Sequence, residues 1–222
     1  MLSSRGWHYC LYLALILLFC SPLLGETDPP ATVTFNVDFP GADPAHFFFS
    51  VSSDGKSTYD SKPDQASEDA AAEPFHLDFQ LSNGTRDRVF ELASKAGYFA
   101  KTLDSGKEKI AFTGTKILTY KDGARNTKAT YNYSAIPAVQ MLTGVFQRLS
   151  TTLESGRRLD FDYRYQKLAL EAELKRMEMM QKEGDLQDLQ AIASILQKIA
   201  NDPSLINVSR ARAGRLMAEA AK

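Results

Sequence analysis

Apolar and polar residues alternate with a period of two over much of the stretch from Thr32 to Tyr133. From Ala135 onward the apolar positions recur every three or four residues. Val33, Phe35, Val37 and Phe39 alternate with Thr34, Asn36 and Asp38, which predicts a half-buried strand. Pro40-Gly41-Ala42-Asp43-Pro44 is a turn cluster. Phe47, Phe48, Phe49 and Val51 predict a central strand, and Ser53-Asp54-Gly55 a hairpin turn into Ser57–Tyr59. Residues 61–74 contain nothing large and apolar and are expected to form an exposed, mobile loop.

Phe75, Leu77, Phe79 and Leu81 alternate again. Ser82 then caps an expected helix through Val89, Leu92, Ala96, Phe99 and Leu103, which Gly106 breaks. Strands are expected at Ile110–Phe112, Lys116–Tyr120 and Thr127–Tyr133, with a hairpin turn at Lys121-Asp122-Gly123. The helical half opens with Ser134 as N-cap and Pro137 in the first turn, where its missing N–H costs nothing. Val139, Leu142, Phe146, Leu149 and Leu153 form its stripe.

Leu159 to Gln166 alternates strictly, yet Leu159, Tyr163, Leu170, Leu174 and Met177 also share a helical face. We therefore expect a helix over Arg158–Lys182, with continuity through Gly156 left open. Gly184-Asp185 turns the chain into a stripe of Leu186, Leu189, Ile192, Leu196 and Ile199, giving an antiparallel helical hairpin. Asp202-Pro203 opens a last helix to about Ala220. A coiled-coil-like stretch near 166–190 is a further expectation. The fold class is α+β: a mostly antiparallel sheet with one packed helix, then the helical hairpin and last helix.

Composition narrows the compartment more than the chemistry. Arg5 precedes an apolar run from Tyr9 to Cys20, and Ser21 to Gly25 follow, so residues 1–25 resemble a secretory signal peptide. The remaining residues 26–222 would then form one domain, divided into a strand-rich half (26–134) and a helical half (135–222). Retention of the segment as an N-terminal membrane anchor is the alternative. With cleavage, no membrane span remains, and both cysteines, Cys10 and Cys20, are lost. An exported, periplasmic or secreted domain without disulfides is the expectation. The 26 Lys+Arg against 27 Asp+Glu give a net charge of −1, which offers no excess of cations to suit nucleic acid.

Few residues suggest catalysis. His46 and His76 sit in neighbouring strand signals and would approach each other if those strands paired. Two histidines fall short of the three or four protein ligands of a zinc site. No Gly-x-Ser-x-Gly elbow, dinucleotide fingerprint or phosphate loop occurs. Asp160 and Asp162 point about 200° apart on a helix and could not flank one glycosidic bond. No catalytic residue, metal or cofactor is therefore assigned. Glu171 to Glu183 interleaves with Lys and Arg as a solvated helix face, and Arg157, Arg158 and Arg164 are read with Asp160 and Asp162 as a surface charge cluster. Tyr120, Tyr131, Tyr133, Tyr163 and Tyr165 are the candidate binding surface.

The stretch from Arg157 to Glu178, Arg-Arg-Leu-Asp-Phe-Asp-Tyr-Arg-Tyr-Gln-Lys-Leu-Ala-Leu-Glu-Ala-Glu-Leu-Lys-Arg-Met-Glu, resembles exported bacterial proteins of uncharacterised function. They share a signal peptide, a strand-rich first half and a helical second half. The resemblance implies a bacterial envelope and supplies no functional residues. The sequence thus points to a non-enzymatic envelope or secreted module that binds another protein. One alternative is a carrier of an apolar molecule or lipid between sheet and helices, suggested by Phe47–Phe49, Phe75 and Phe79. Another is a hydrolase using His46 and His76.

Overall fold

The computed structural model describes residues 29–63, 73–107 and 109–220, so the expected signal peptide and most of the expected loop at 61–74 lie outside the described residues. Six strands form one antiparallel sheet: β1 (Thr32–Asp38), β2 (His46–Ser52), β3 (Lys56–Lys62), β4 (Phe75–Gln80), β5 (Thr115–Lys121) and β6 (Asn126–Tyr131). The spatial order is β4-β3-β2-β1-β5-β6. The first four strands therefore meander outward to one edge, and the chain must return across the sheet to place β5 beside β1. Helix α1 (Asn83–Lys95) lies on that return path, capped by the Ser82 hydroxyl as the sequence suggested.

The helical half comprises α2 (Pro137–Tyr165), α3 (Leu170–Glu183), α4 (Ala193–Asn201) and α5 (Asn207–Ala220). The fold is α+β, with strands first and helices after. The period-2 residues Val33, Phe35, Phe49, Val51, Tyr59 and Leu118 turn to one face, where α1 and α2 bury them. Phe146 of α2 stacks on Phe35 (centroids 4.9 Å apart, planes 11° apart) and leans on Phe49 at 5.3 Å. The other face carries mainly Thr, Ser, Asn, His and charged residues, with half-buried Phe48 and Ile117 on either side of Asn36. There the Thr34 and Thr119 hydroxyls meet at 2.5 Å across the β1–β5 ladder. The core runs without a break from this layer into Leu170, Leu174, Leu196 and Leu216 of the later helices.

Several expectations needed correction. Ile110–Phe112 is not a strand. The Asn132 side chain holds that stretch instead, its amide nitrogen donating to the Ala111 carbonyl at 3.2 Å and its oxygen accepting from Thr113 N–H at 2.8 Å. The first helix stops at Lys95 rather than near Leu103. A short 3₁₀ turn follows at Gly97–Phe99, where Tyr98 and Phe99 adopt φ of 53° and 60°. Phe99 and Leu103 are buried all the same, which explains why their spacing mimicked a continuing helix. Ser134 lies before α2, and its hydroxyl accepts from Ile136 N–H at 3.3 Å. The N-cap position belongs to Ile136, without a side-chain cap.

Helix α2 is continuous through Gly156, and the alternating stretch 159–165 belongs to it. The expected single helix 158–182 breaks at Gln166–Ala169, where residues 164–168 are all exposed and none is buried in the core. The stretch 166–190 is accordingly a turn, the 14-residue α3 and an extended link, not a sustained coiled coil. The chain turns at Gly184 as expected, and Gly184 caps α3 in the left-handed conformation (φ 79°). Beyond it, a 3₁₀ turn at Leu189–Ile192 precedes α4, and α5 packs on both α3 and α4.

Candidate functional site: the β4 edge beneath the overhang of α2

Helix α2 crosses the sheet from β1 toward β4. Phe146 meets Phe35 and Phe49 on β1 and β2, Glu154 meets Tyr59 and Ser61 on β3, and the Arg157 guanidinium lies 5.9 Å from the Phe75 ring on β4. From Phe146 to Arg157 the axis rises about 16 Å at 1.5 Å per residue, while the strands crossed span about 12 Å. The helix thus advances one strand spacing about every four to five residues. Phe161 comes one such step after Arg157 and Tyr165 a second. The helix continues past the last strand of the sheet.

Under this overhang lies a solvent-open cleft of about 660 Å³, lined by Phe75, Arg157, Phe161, Arg164 and Tyr165 among others. Phe75 is the one β4 residue in its wall. Along β4 the apolar residues Phe75, Leu77 and Phe79 are only half-buried, unlike their counterparts in β1 to β3. Leu81 N–H donates to the Gly55 carbonyl at 2.9 Å. Counting by twos along the β3–β4 register, Phe79, Leu77 and Phe75 direct their backbone groups to β3. His76, Asp78 and Gln80 therefore turn their N–H and C=O groups outward. Among the described residues no backbone hydrogen bond outside the ladders reaches residues 75–80. The opposite edge differs: Lys128 stands in the middle of β6, and the Asp104 carboxylate accepts Asn132 N–H just past its end at 2.8 Å.

A buried polar cluster fixes the helix where it leaves the sheet. Glu154, 3 % exposed, accepts from Tyr59 O–H at 2.9 Å, Ser61 O–H at 2.6 Å and Arg157 Nε at 2.8 Å. The Ser150 hydroxyl pairs with Tyr59 at 2.8 Å. Burial and the neighbouring Glu154 charge push the Tyr59 phenol far above its usual value, so it stays a neutral donor. A buried carboxylate is tolerable when its lone pairs are filled and a cation lies beside it, and both conditions hold here. No sequence motif announced this cluster, because its members come from β3 and α2, some ninety residues apart.

The arginines of the cleft are matched by acids. Arg158 donates to Glu173 at 3.1 Å, and Arg164 pairs with Asp160 at 2.6 Å. Burial raises Asp162, with the Glu173 charge adding to it against Arg158. For Glu173 itself burial is outweighed by Arg176 and Arg158, and its carboxyl is held low. This balance gives a cleft of mixed charge rather than a cationic anion trap.

The five tyrosines do not share one surface. Tyr120 and Tyr131 are buried on the helix-covered face, Tyr120 against Tyr98 (4.7 Å) and Tyr131 bonded to the Thr143 hydroxyl at 2.6 Å. Tyr133 is 37 % exposed and accepts from the Gln140 amide. Tyr163 donates to Asp202 at 2.9 Å, between Lys167 and Lys198. Tyr165, 72 % exposed, leans on Phe161 at 5.2 Å and is the one that enters the cleft.

His46 and His76 are not brought together, because β3 lies between their strands. His46 stands opposite Lys62, and His76 bonds Asp60 at 2.7 Å on the polar face. The hydrogen bond to Asp60 raises the His76 pKa against desolvation, and the Asp60 and Asp78 charges add to the rise. Among the described residues, no three of His, Cys, Asp and Glu gather to hold a metal ion, and no helix is long and apolar enough to cross a membrane. The layer suggested for an apolar ligand is filled by Phe47, Phe49, Tyr59 and Phe146 in mutual ring contact. No protein-family profile matches the chain, and no curated protein is similar to it.

Proposed function

We propose that this chain is an exported, non-enzymatic binding module that receives an extended polypeptide segment as a seventh strand on β4. The observation that carries the proposal is the overhang: α2 continues for two turns beyond a sheet edge whose outward N–H and C=O groups have no partner among the described residues. Strand addition satisfies those groups, and alternate side chains of the incoming segment would rest against Phe161 and Tyr165. The charged-then-apolar residues 1–25 support export.

Random extended peptides displayed and selected against the full chain test the proposal. Asp78→Pro serves as the blocking variant, since Asp78 N–H points outward and no backbone bond to β3 is lost. Asp78→Ala, which gives up the same side-chain bond from the Thr58 hydroxyl (3.1 Å), is its control. Selected peptides should lose at least tenfold in affinity for Asp78→Pro. They should also slow hydrogen exchange at His76, Asp78 and Gln80. Peptides that bind both proteins equally, or that protect other amides, would refute strand addition.

A further inference from the structure

The β4 edge is complementary to itself. We infer that its occupant is β4 of a second copy, so that two sheets join into one of twelve strands about a twofold axis through Leu77. This rests on the strand-addition reading above and names the partner. An antiparallel pair must match outward-facing residues with outward-facing residues, which restricts the register to even steps. Within those steps, placing Leu77 opposite Leu77 sets His76 opposite Asp78 twice. It also aligns Phe75 with Phe79 in the apolar row. A shift of two residues either way sets Asp78 against Asp78 or His76 against His76, and like charges directly opposite are unfavourable. The chosen register ends where Pro74, which has no N–H to give, would meet Gln80.

The overhang fits the same arrangement. Each α2 leaves the sheet above Phe75, and in this register Phe79 of the other copy lies beside Phe75. Phe161 of one copy would then cover the half-buried Phe79 of the other. Phe75 and Phe79 are four residues apart, about 13.5 Å along a strand, so the two antiparallel overhangs pass at about that distance. Packed helices need 8–10 Å, which leaves room for both. The pairing covers the apolar row that α1 and α2 leave half-exposed in one copy. The polar face contributes the His76–Asp78 pairs.

Disulfide trapping in the full chain, with Cys10→Ser and Cys20→Ser as background, tests this register. Leu77 faces its own copy in a pair without ladder hydrogen bonds, where Cα atoms are about 4.5 Å apart and within reach of a disulfide. Leu77→Cys should give a reducible dimer on mild oxidation, and Phe79→Cys, about 13.5 Å from its copy, should not. In sedimentation, Asp78→Lys and His76→Asp should each weaken the dimer at least tenfold, and the double variant should recover most of that loss.

A Leu77→Cys chain that does not crosslink, or a Phe79→Cys chain that crosslinks equally fast, overturns the dimer. So does a double variant no tighter than the singles. If displayed peptides still select the edge in those cases, strand addition survives and only the self-pairing falls. If they also ignore the edge, both fall.

Discussion

Two glycines in the same helix should respond differently to the same substitution. Gly144 and Gly156 both lie inside α2, and alanine in a helix interior is favoured over glycine by about 1 kcal/mol. At Gly144 the nearest obstacle to a Cβ is the Arg148 guanidinium at 3.1 Å, the free end of a long side chain. Gly144→Ala should therefore stabilise the protein by about 0.5–1 kcal/mol. At Gly156 a Cβ would lie 2.4 Å from Ile192 Cγ2 and 3.1 Å from its Cβ. Ile192 is 4 % exposed in the turn before α4, so it has little freedom to withdraw. Overpacking of this kind costs about 1–3 kcal/mol, which cancels or exceeds the gain in helix propensity. Urea unfolding followed by far-UV circular dichroism should place the two variants about 1–3 kcal/mol apart, with Gly156→Ala the less stable. Ile192→Ala should cost less in the Gly156→Ala background than in the native chain, because the new methyl occupies part of the void. Equal stabilisation by both alanines would refute the claim that Ile192 clamps α2 where it leaves the sheet.

Three further outcomes follow from the same contacts. Tyr59→Phe removes a donor to a buried carboxylate and should cost about 1.5–3 kcal/mol; a cycle with Glu154→Ala should show coupling of about 1 kcal/mol or more by urea unfolding. His76 has a raised pKa in the folded chain, chiefly from its bond to Asp60. Its stabilisation is complete below the ordinary value of about 6.5 and is lost as pH rises through the raised value. Unfolding midpoints should accordingly fall across that window in the native chain, and this step should vanish in His76→Gln. Phe146→Ala should cost about 3–5 kcal/mol in thermal or urea unfolding, since it empties the ring contacts that join α2 to β1 and β2.

Much of the fold was legible because burial here follows period. Val33, Phe35 and Val37 face the core at every second position, and Val139, Leu142, Phe146 and Leu149 at helical spacing, as the sequence suggested. Legibility failed where one contact served two geometries. Phe99 and Leu103 keep helical spacing, yet they reach the core from a 3₁₀ turn and a loop. The candidate site was the least legible part. That β4 becomes an edge depends on the order in which strands pair, which alternation does not encode. Glu154 sits among ordinary helix residues and becomes a buried acid only once Tyr59 and Ser61 are opposite it. Residue type alone marks Tyr165 as a candidate, and its position beyond the sheet depends on the path of α2 across the strands.

The length of α2 ties these observations together. To cover the six strands the helix need run only as far as Arg157, where it meets Phe75 on the last of them. Its remaining two turns bury Leu159 against the helical half, where Arg158 also reaches Glu173 and Tyr163 reaches Asp202. Among the described residues, the face that carries Phe161 and Tyr165 has no strand beneath it. A helix held rigidly from behind and left open below is a preformed roof: the entropy of ordering it is met on folding, before any strand arrives. An incoming segment then has only its own ordering to offset, which outward backbone groups at His76, Asp78 and Gln80 and an apolar row at Phe75, Leu77 and Phe79 can supply. The helical half thus acts on the edge strand at a distance, by fixing the helix above it.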